Sequence, residues 1–429
     1  MGDFSVQEPS CRNARVLLHT AVKPEPANPF VFGQVLGPGA PFCSRPLLER
    51  TIRETVENRQ RLVLLGDRRM GKTSLVEHTL AGRDSLLVSI DLLGLASVED
   101  FMDRVLARLE TLLSGQRPLT KHLPPAMKAA LSAVSSLRID LPFVHVEAKP
   151  VKASTVIQVM GLLARVSEWQ PLTVFFDEFQ EIADRLEEKP AQHLLGVLRG
   201  EIQRHDRIAY LFAGSARDSL ADIFTASGSP FYQSARILEI GPIPREGMAE
   251  FLAAQFAKGS RALGESVLAA LFTLAGDNPN DLQQMAYHLW ARSAPGPIGL
   301  AELRAAVSTL MAEIGRAGER VIDDATPSQR KMLFALALTE GELEIFGSEF
   351  LELAGFKTHQ SADQAIKPFL KGATAVLEKQ GSKVRFRERF MRLWVLARVL
   401  RNPRLLPTGT GREGQWVQRV RPHLGGLLQ

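Results

Sequence analysis

Gly66-Asp-Arg-Arg-Met-Gly-Lys-Thr73 has the form GxxxxGK[ST]. Before it runs Arg61-Leu-Val-Leu-Leu65, a short apolar stretch that reads as a buried strand. After it comes Ser74-Leu-Val-Glu-His-Thr-Leu80, which reads as a helix. Strand, glycine loop and helix form the setting in which such a loop cradles phosphate. The glycines let backbone N–H groups close around phosphate oxygens, and the helix N-terminus adds partial positive charge. On this reading Gly66, Asp67, Arg68, Arg69, Met70, Gly71, Lys72, Thr73 and Ser74 build a nucleotide site. Lys72 reaches the β- and γ-phosphates, and Thr73 offers its hydroxyl to Mg²⁺.

Further buried strands are read at Ser85–Asp91, Pro171–Asp177, Ile208–Ala213 and Arg236–Ile240, with amphipathic helices between them. One long helix, Glu181–His205, is expected to break near Pro190. Strands alternating with helices predict an α/β fold, a parallel sheet with helices on both faces. Asp177 and Glu178 end the third strand. A carboxylate ending a strand beside the loop strand can hold Mg²⁺ through its water shell, which gives Asp177 the metal role. Glu178 can accept a proton from an attacking water. Lys72 and Glu178 are therefore the candidate catalytic residues, and Thr73 and Asp177 the candidate metal ligands.

The 429 residues suffice for two or three domains, and 45% hydrophobic with 23% charged residues is ordinary for a globular chain. Two cysteines, Cys11 and Cys43, exclude a disulfide framework and fit a reducing, cytoplasmic setting. Apolar runs fall short of the ~18–20 residues that span a bilayer, so no membrane association is expected. The net charge of +5 is unevenly spread. From Thr326 to Gln429 there are 17 Lys/Arg against 9 Asp/Glu, leaving the rest slightly acidic. That asymmetry suits a nucleic acid or another acidic partner as well as a solvated basic face.

The chain resembles archaeal-type ATPases of the STAND class, a branch of the AAA+ and P-loop superfamily, from about Phe42 to Ala397. The marks are Gly66–Ser74, Phe176-Asp-Glu-Phe-Gln180, Ala213-Gly-Ser215, Ser229-Pro-Phe-Tyr232 and Gly276-Asp-Asn-Pro279. The resemblance implies ATP as ligand, Mg²⁺ as cofactor, slow hydrolysis to ADP, and a nucleotide-controlled switch. It also implies either a homo-oligomer or a separate effector protein. Ser215 would sense the γ-phosphate, or Arg217 would do so instead, provided their strand lies beside Asp177. Pro279 matches the lid proline that packs near the base, and equally suits the first position of a helix. Arg236 is either a finger for a neighbouring subunit or a surface arginine. In the family a Gly-Arg-x-x-Glu-like element precedes the loop. Here Phe42-Cys-Ser-Arg45-Pro-Leu-Leu-Glu49 lacks the glycine, which leaves Arg45 as the residue to approach the nucleotide.

The expected domains are an extended Pro/Gly-rich lead-in (1–41), the nucleotide-binding core (42–242), a wholly helical lid (243–322), a winged helix-turn-helix (323–400) and a loose basic tail (401–429). The winged unit rests on helices at Ser328–Leu338, Ser348–Ala354 and Ser361–Leu370, then a hairpin from Ala375 to Arg387. Its third helix lacks arginine for guanine, whereas Lys379, Lys383, Arg385, Arg387, Arg401 and Arg404 suit phosphate contact. Three outputs stay open: a switch read by another protein, a DNA-binding initiator or loader, and a nucleotide-binding scaffold with negligible hydrolysis.

Overall fold

The structure, a computed structural model, describes residues 26–37, 39–83, 85–115, 153–215, 217–371, 375–380, 382–406 and 412–428. Residues 116–152, whose sequence reads as a helix at 126–137 and a small strand at 143–147, lie outside these residues, as does Cys11.

Five parallel strands form the central sheet: β1 (Arg61–Leu65), β2 (Leu86–Asp91), β3 (Leu172–Asp177), β4 (Ile208–Gly214) and β5 (Arg236–Glu239). Their order is β2-β3-β4-β1-β5. The α/β expectation holds. One detail differs: β3 is not next to β1, because β4 lies between them and pairs with both. Every residue of β3 and β4 is buried, which is why both read as unbroken apolar runs. Alternate residues supply two cores. Val63, Phe176, Tyr210 and Phe212 face one side, under the Val98–Gly115, Ala153–Trp169 and Glu188–Arg204 helices. Leu62, Leu64, Phe175 and Leu211 face the other, against the Pro46–Glu57 and Lys72–Leu80 helices.

The long helix after β3 is two, Glu181–Arg185 and Glu188–Arg204. The break falls at Leu186–Glu187, which puts Pro190 in the first turn of the second helix, where its missing N–H costs nothing. The segment after residue 243 is not wholly helical. Helices Arg245–Ala257, Glu265–Ala275, Pro279–Arg292 and Leu300–Asp323 are joined by a two-stranded parallel pair, β6 (Arg261–Leu263) and β7 (Gly296–Ile298).

Helices Pro327–Thr339, Ser348–Ala354 and His359–Leu370 follow, then an antiparallel hairpin of β8 (Leu377–Gln380) and β9 (Lys383–Phe386). Glu344 bridges to Lys383 at its edge. Helix Arg389–Arg401 comes next. The expected loose tail is instead a helix, Arg412–Leu428, with Trp416, Val417, Leu424 and Leu428 buried. One apolar cluster runs from Ile243 to Leu428 and takes in Phe30. Lid, C-terminal unit and last helix thus share a core distinct from the two cores of the sheet. Trp394 lies flat on Gly318, where a Cβ would meet its ring at 2.5 Å. Among the described residues no helix is long and apolar enough to cross a membrane.

Candidate functional site

The C-terminal ends of the sheet strands converge on the glycine loop. Gly66 passes so close to β5 that a Cβ would sit 2.6 Å from the Ile240 carbonyl oxygen. Gly71 has φ 76° and caps the Lys72–Leu80 helix. These two positions require glycine. Lys72 is buried, and its Nζ donates to the carbonyls of Gly66 (2.9 Å) and Asp67 (3.1 Å). The loop's N–H groups, a helix N-terminus and an ammonium therefore share one small volume, which suits a polyphosphate.

Asp177 and Glu178 stand beside the loop. The Thr73 hydroxyl donates to Asp177 Oδ2. Burial pushes the Asp177 carboxyl up, and the Thr73 hydroxyl opposes that. Paired hard oxygens from a hydroxyl and a carboxylate fit Mg²⁺. Among the described residues no cluster of three or more His, Cys, Asp or Glu could hold a metal. A cation here would complete its shell with phosphate oxygens and water.

The condition set for Ser215 is met, because β4 lies beside β3. Ser215 reaches Glu178: its N–H (3.0 Å) and its hydroxyl (2.8 Å) both donate to Glu178 Oε2. Arg217 opens the Arg217–Thr225 helix, but its side chain lies outside the described residues. Pro279 is the first residue of the Pro279–Arg292 helix, capped by the Asn278 side chain, and it also lines the cavity beside the glycine loop. Both of its readings are therefore compatible with the structure. Arg236 is exposed and pairs with Leu62, away from the loop end of β1, beside a separate cavity shared with Arg59 and Arg61. It does not join the site of its own chain.

The cavity, about 320 Å³, runs from Lys72, Asp177 and Glu178 to an apolar end at Leu36, Ile243 and Met248. One contributor was not legible beforehand, and Arg45, already expected near this cavity, has a second task. The lead-in is a strap. Gly33 N–H donates to Asn280 Oδ1 (2.8 Å) and Leu36 N–H to Ser74 Oγ (3.0 Å), so the strap ties lid to loop helix across the cavity. Arg45 is a brace, donating to the carbonyls of Met70 (2.7 Å) and Gly241 (3.2 Å). Burial pulls its guanidinium down to about 10.

The second body also touches the loop. Arg69 pairs with Glu388 (2.6 Å), Arg385 with Asp67 (3.4 Å), and Asn278 Nδ2 donates to the Arg68 carbonyl (3.2 Å). A polar crevice of about 600 Å³ lies there, walled by Glu178, Ser215, Glu181, Lys379 and Arg385.

No protein-family model matches the chain, and no curated protein matches it. Solved structures do. A Walker-type ATPase of Pyrococcus abyssi superposes with a TM-score of 0.57 at 19% identity, covering 86% of this chain and 99% of that one. The fold is that of a P-loop NTPase. Looser matches are the ORC2 protein of Aeropyrum pernix (TM-score 0.46, 13% identity, 88% of this chain and 98% of that one) and Cdc6p of Pyrobaculum aerophilum (0.41, 12%, 91% and 99%). Within a P-loop NTPase the loop, Asp177, Glu178 and Ser215 lie at the strand ends, where open α/β sheets bind ligands.

Proposed function

We propose that this chain is an ATP-binding, Mg²⁺-dependent ATPase that works as a nucleotide-controlled switch of the STAND/AAA+ type. The carrying observation is the junction of Thr73 with Asp177, and of Glu178 with Ser215, at the mouth of the phosphate loop. Lys72 and the loop N–H groups hold the phosphates. Thr73 and Asp177 would hold Mg²⁺, which neutralises phosphate charge when bound. Glu178 accepts a proton from the attacking water, and the Ser215 hydroxyl lies next to it. The name of the Pyrococcus neighbour, a Walker-type ATPase, agrees with this reading.

The Pro327–Phe386 unit is read as a winged helix that reports the nucleotide state to a partner protein. Three of the six cations that suit DNA phosphates are engaged within the chain. Arg385 pairs with Glu378 and Asp67, Arg387 donates to the Leu377 and Leu370 carbonyls, and Arg401 donates to that of Leu428. On the third helix Lys367 pairs with Asp363 (2.6 Å). These bonds favour a protein-facing output over a DNA-binding initiator.

The test is a set of nucleotide-binding and turnover assays on the full chain. Lys72→Ala abolishes ATP binding. Glu178→Gln keeps ATP but lowers turnover by about 100-fold or more. Wild-type turnover in Glu178→Gln would sink the base assignment. A mobility shift that depends steeply on salt and on ATP would favour the DNA reading instead.

A further inference from the structure

Glu178 leaves β3 with φ 51°, in the left-handed region. A glutamate stays there only where its surroundings enforce it. Three donors meet on one of its oxygens. Oε2 accepts from Ser215 N–H (3.0 Å), Ser215 Oγ (2.8 Å) and Gln180 Nε2 (2.6 Å). Its Oε1 takes no hydrogen bond from the described residues.

Gln180 is 2% exposed. Only half of its amide is satisfied, because Oε1 is buried without a hydrogen-bond partner. Such an orphaned acceptor costs stability, and native folds rarely keep one without a reason. The neighbouring strand is shaped to the same amide. At Gly214 a Cβ would lie 2.0 Å from Gln180 Oε1 and 3.0 Å from Leu220 Cδ2, so any side chain there would push the amide from its place. From below, Phe179 fixes the turn in the aromatic cluster, with its ring 4.8 Å from that of Phe212. An apolar side chain of similar length would fill the Gln180 site without an orphan. What the amide adds is its bond to Glu178. A residue that breaks a stability rule beside a reactive carboxylate points to function.

We propose that Gln180 is a positioning residue for Glu178, an inference that rests on Glu178 being the base. With Ser215 the amide pins Oε2, so the carboxylate cannot turn and Oε1 is left as the acceptor for the water proton. The water oxygen bonds to the γ-phosphorus while its proton passes to Oε1. The bond from phosphorus to the bridging oxygen breaks, and that electron pair leaves with ADP. Gln180 touches neither water nor phosphate. It acts by restricting the base to one orientation, which shortens the search for a reactive geometry.

The test uses the full chain with ATP and Mg²⁺, reading turnover, KM and thermal melting together. In Gln180→Met, kcat falls by about tenfold or more while KM stays within about twofold. The melting temperature holds or rises, because the orphan oxygen is gone. Gln180→Asn, too short to reach Glu178, loses kcat likewise. In the Glu178→Gln background, Gln180→Met has no further effect on turnover, since the group it positions is no longer a base. The assignment is overturned if kcat per folded molecule is unchanged in Gln180→Met and Gln180→Asn. It is also overturned if the full loss recurs in the Glu178→Gln background. A wild type that binds ATP without turnover removes the hydrolysis reading and this assignment together. Turnover in the wild type with no loss in the variants removes the assignment alone.

Discussion

The sheet and the C-terminal body are each sealed by apolar contacts, while the seam between them is polar. Within the sheet, Phe176, Phe179, Phe212, Phe224 and Phe231 interlock under the 177–180 turn. Within the second body one apolar cluster joins the lid to the last helix. Across the seam stand Arg69–Glu388, Arg385–Asp67, the Asn278 contact and the strap. Apolar seams are strong and hard to reopen. Partly exposed ion pairs are worth roughly 0–1 kcal/mol each, so they can break and re-form as charge at the phosphate loop changes. On the proposed function, nucleotide acts where the molecule is most easily parted.

The largest effect should come from breaking a body rather than the seam. Trp394→Ala removes the ring packed on Gly315 and Gly318, and should cost about 3–5 kcal/mol. Denaturant unfolding should show the second body melting first. A single transition that barely moves would mean Trp394 is not part of that core.

A middling effect is expected inside the site. Arg45→Met leaves the Met70 carbonyl without its charged donor, a loss of about 1.5–3 kcal/mol. It should weaken nucleotide binding by about tenfold or more, measured by titration calorimetry. Unchanged affinity would show that the loop holds its shape without the brace.

The smallest effect sharpens the comparison most. Glu388→Gln should change global stability by less than ~1 kcal/mol. Release of a fluorescent ADP should nonetheless quicken a few-fold at low salt, with the difference fading at high salt as screening removes the pair from the wild type too. An effect that persists at high salt would mean the seam is held by packing rather than charge.

How much of this could be read from the residues follows the same division. Strands β3 and β4 were legible because burial on both faces leaves unbroken apolar runs, and the glycine loop because its backbone demands fixed residues at fixed spacing. The place of β4 between β1 and β3 was not legible, since strand order depends on how helices cross the sheet. Gln180 stood in view as part of Phe176–Gln180, but its role depends on Gly214, on the next strand. The helix Arg412–Leu428 was missed because Gly414, Pro422, Gly425 and Gly426 spoil its periodicity. It forms through tertiary burial of Trp416, Val417 and Leu424, which no local pattern encodes. Arg385 and Arg387 illustrate a third limit. Composition counts a cation without showing whether a carboxylate or carbonyl has already engaged it.

The strap has a consequence for how the molecule is made. Asn28 donates to the Tyr287 carbonyl, 259 residues along the chain, and the Phe30 ring lies 4.8 Å from that of Phe256. A ribosome must therefore deliver the whole sheet before this earlier segment can find its place. Contacts of such separation form late and slowly. The cavity beside the glycine loop, walled on one side by that early segment, is completed last, so its finished shape arrives as a final step of folding rather than a property of the sheet alone.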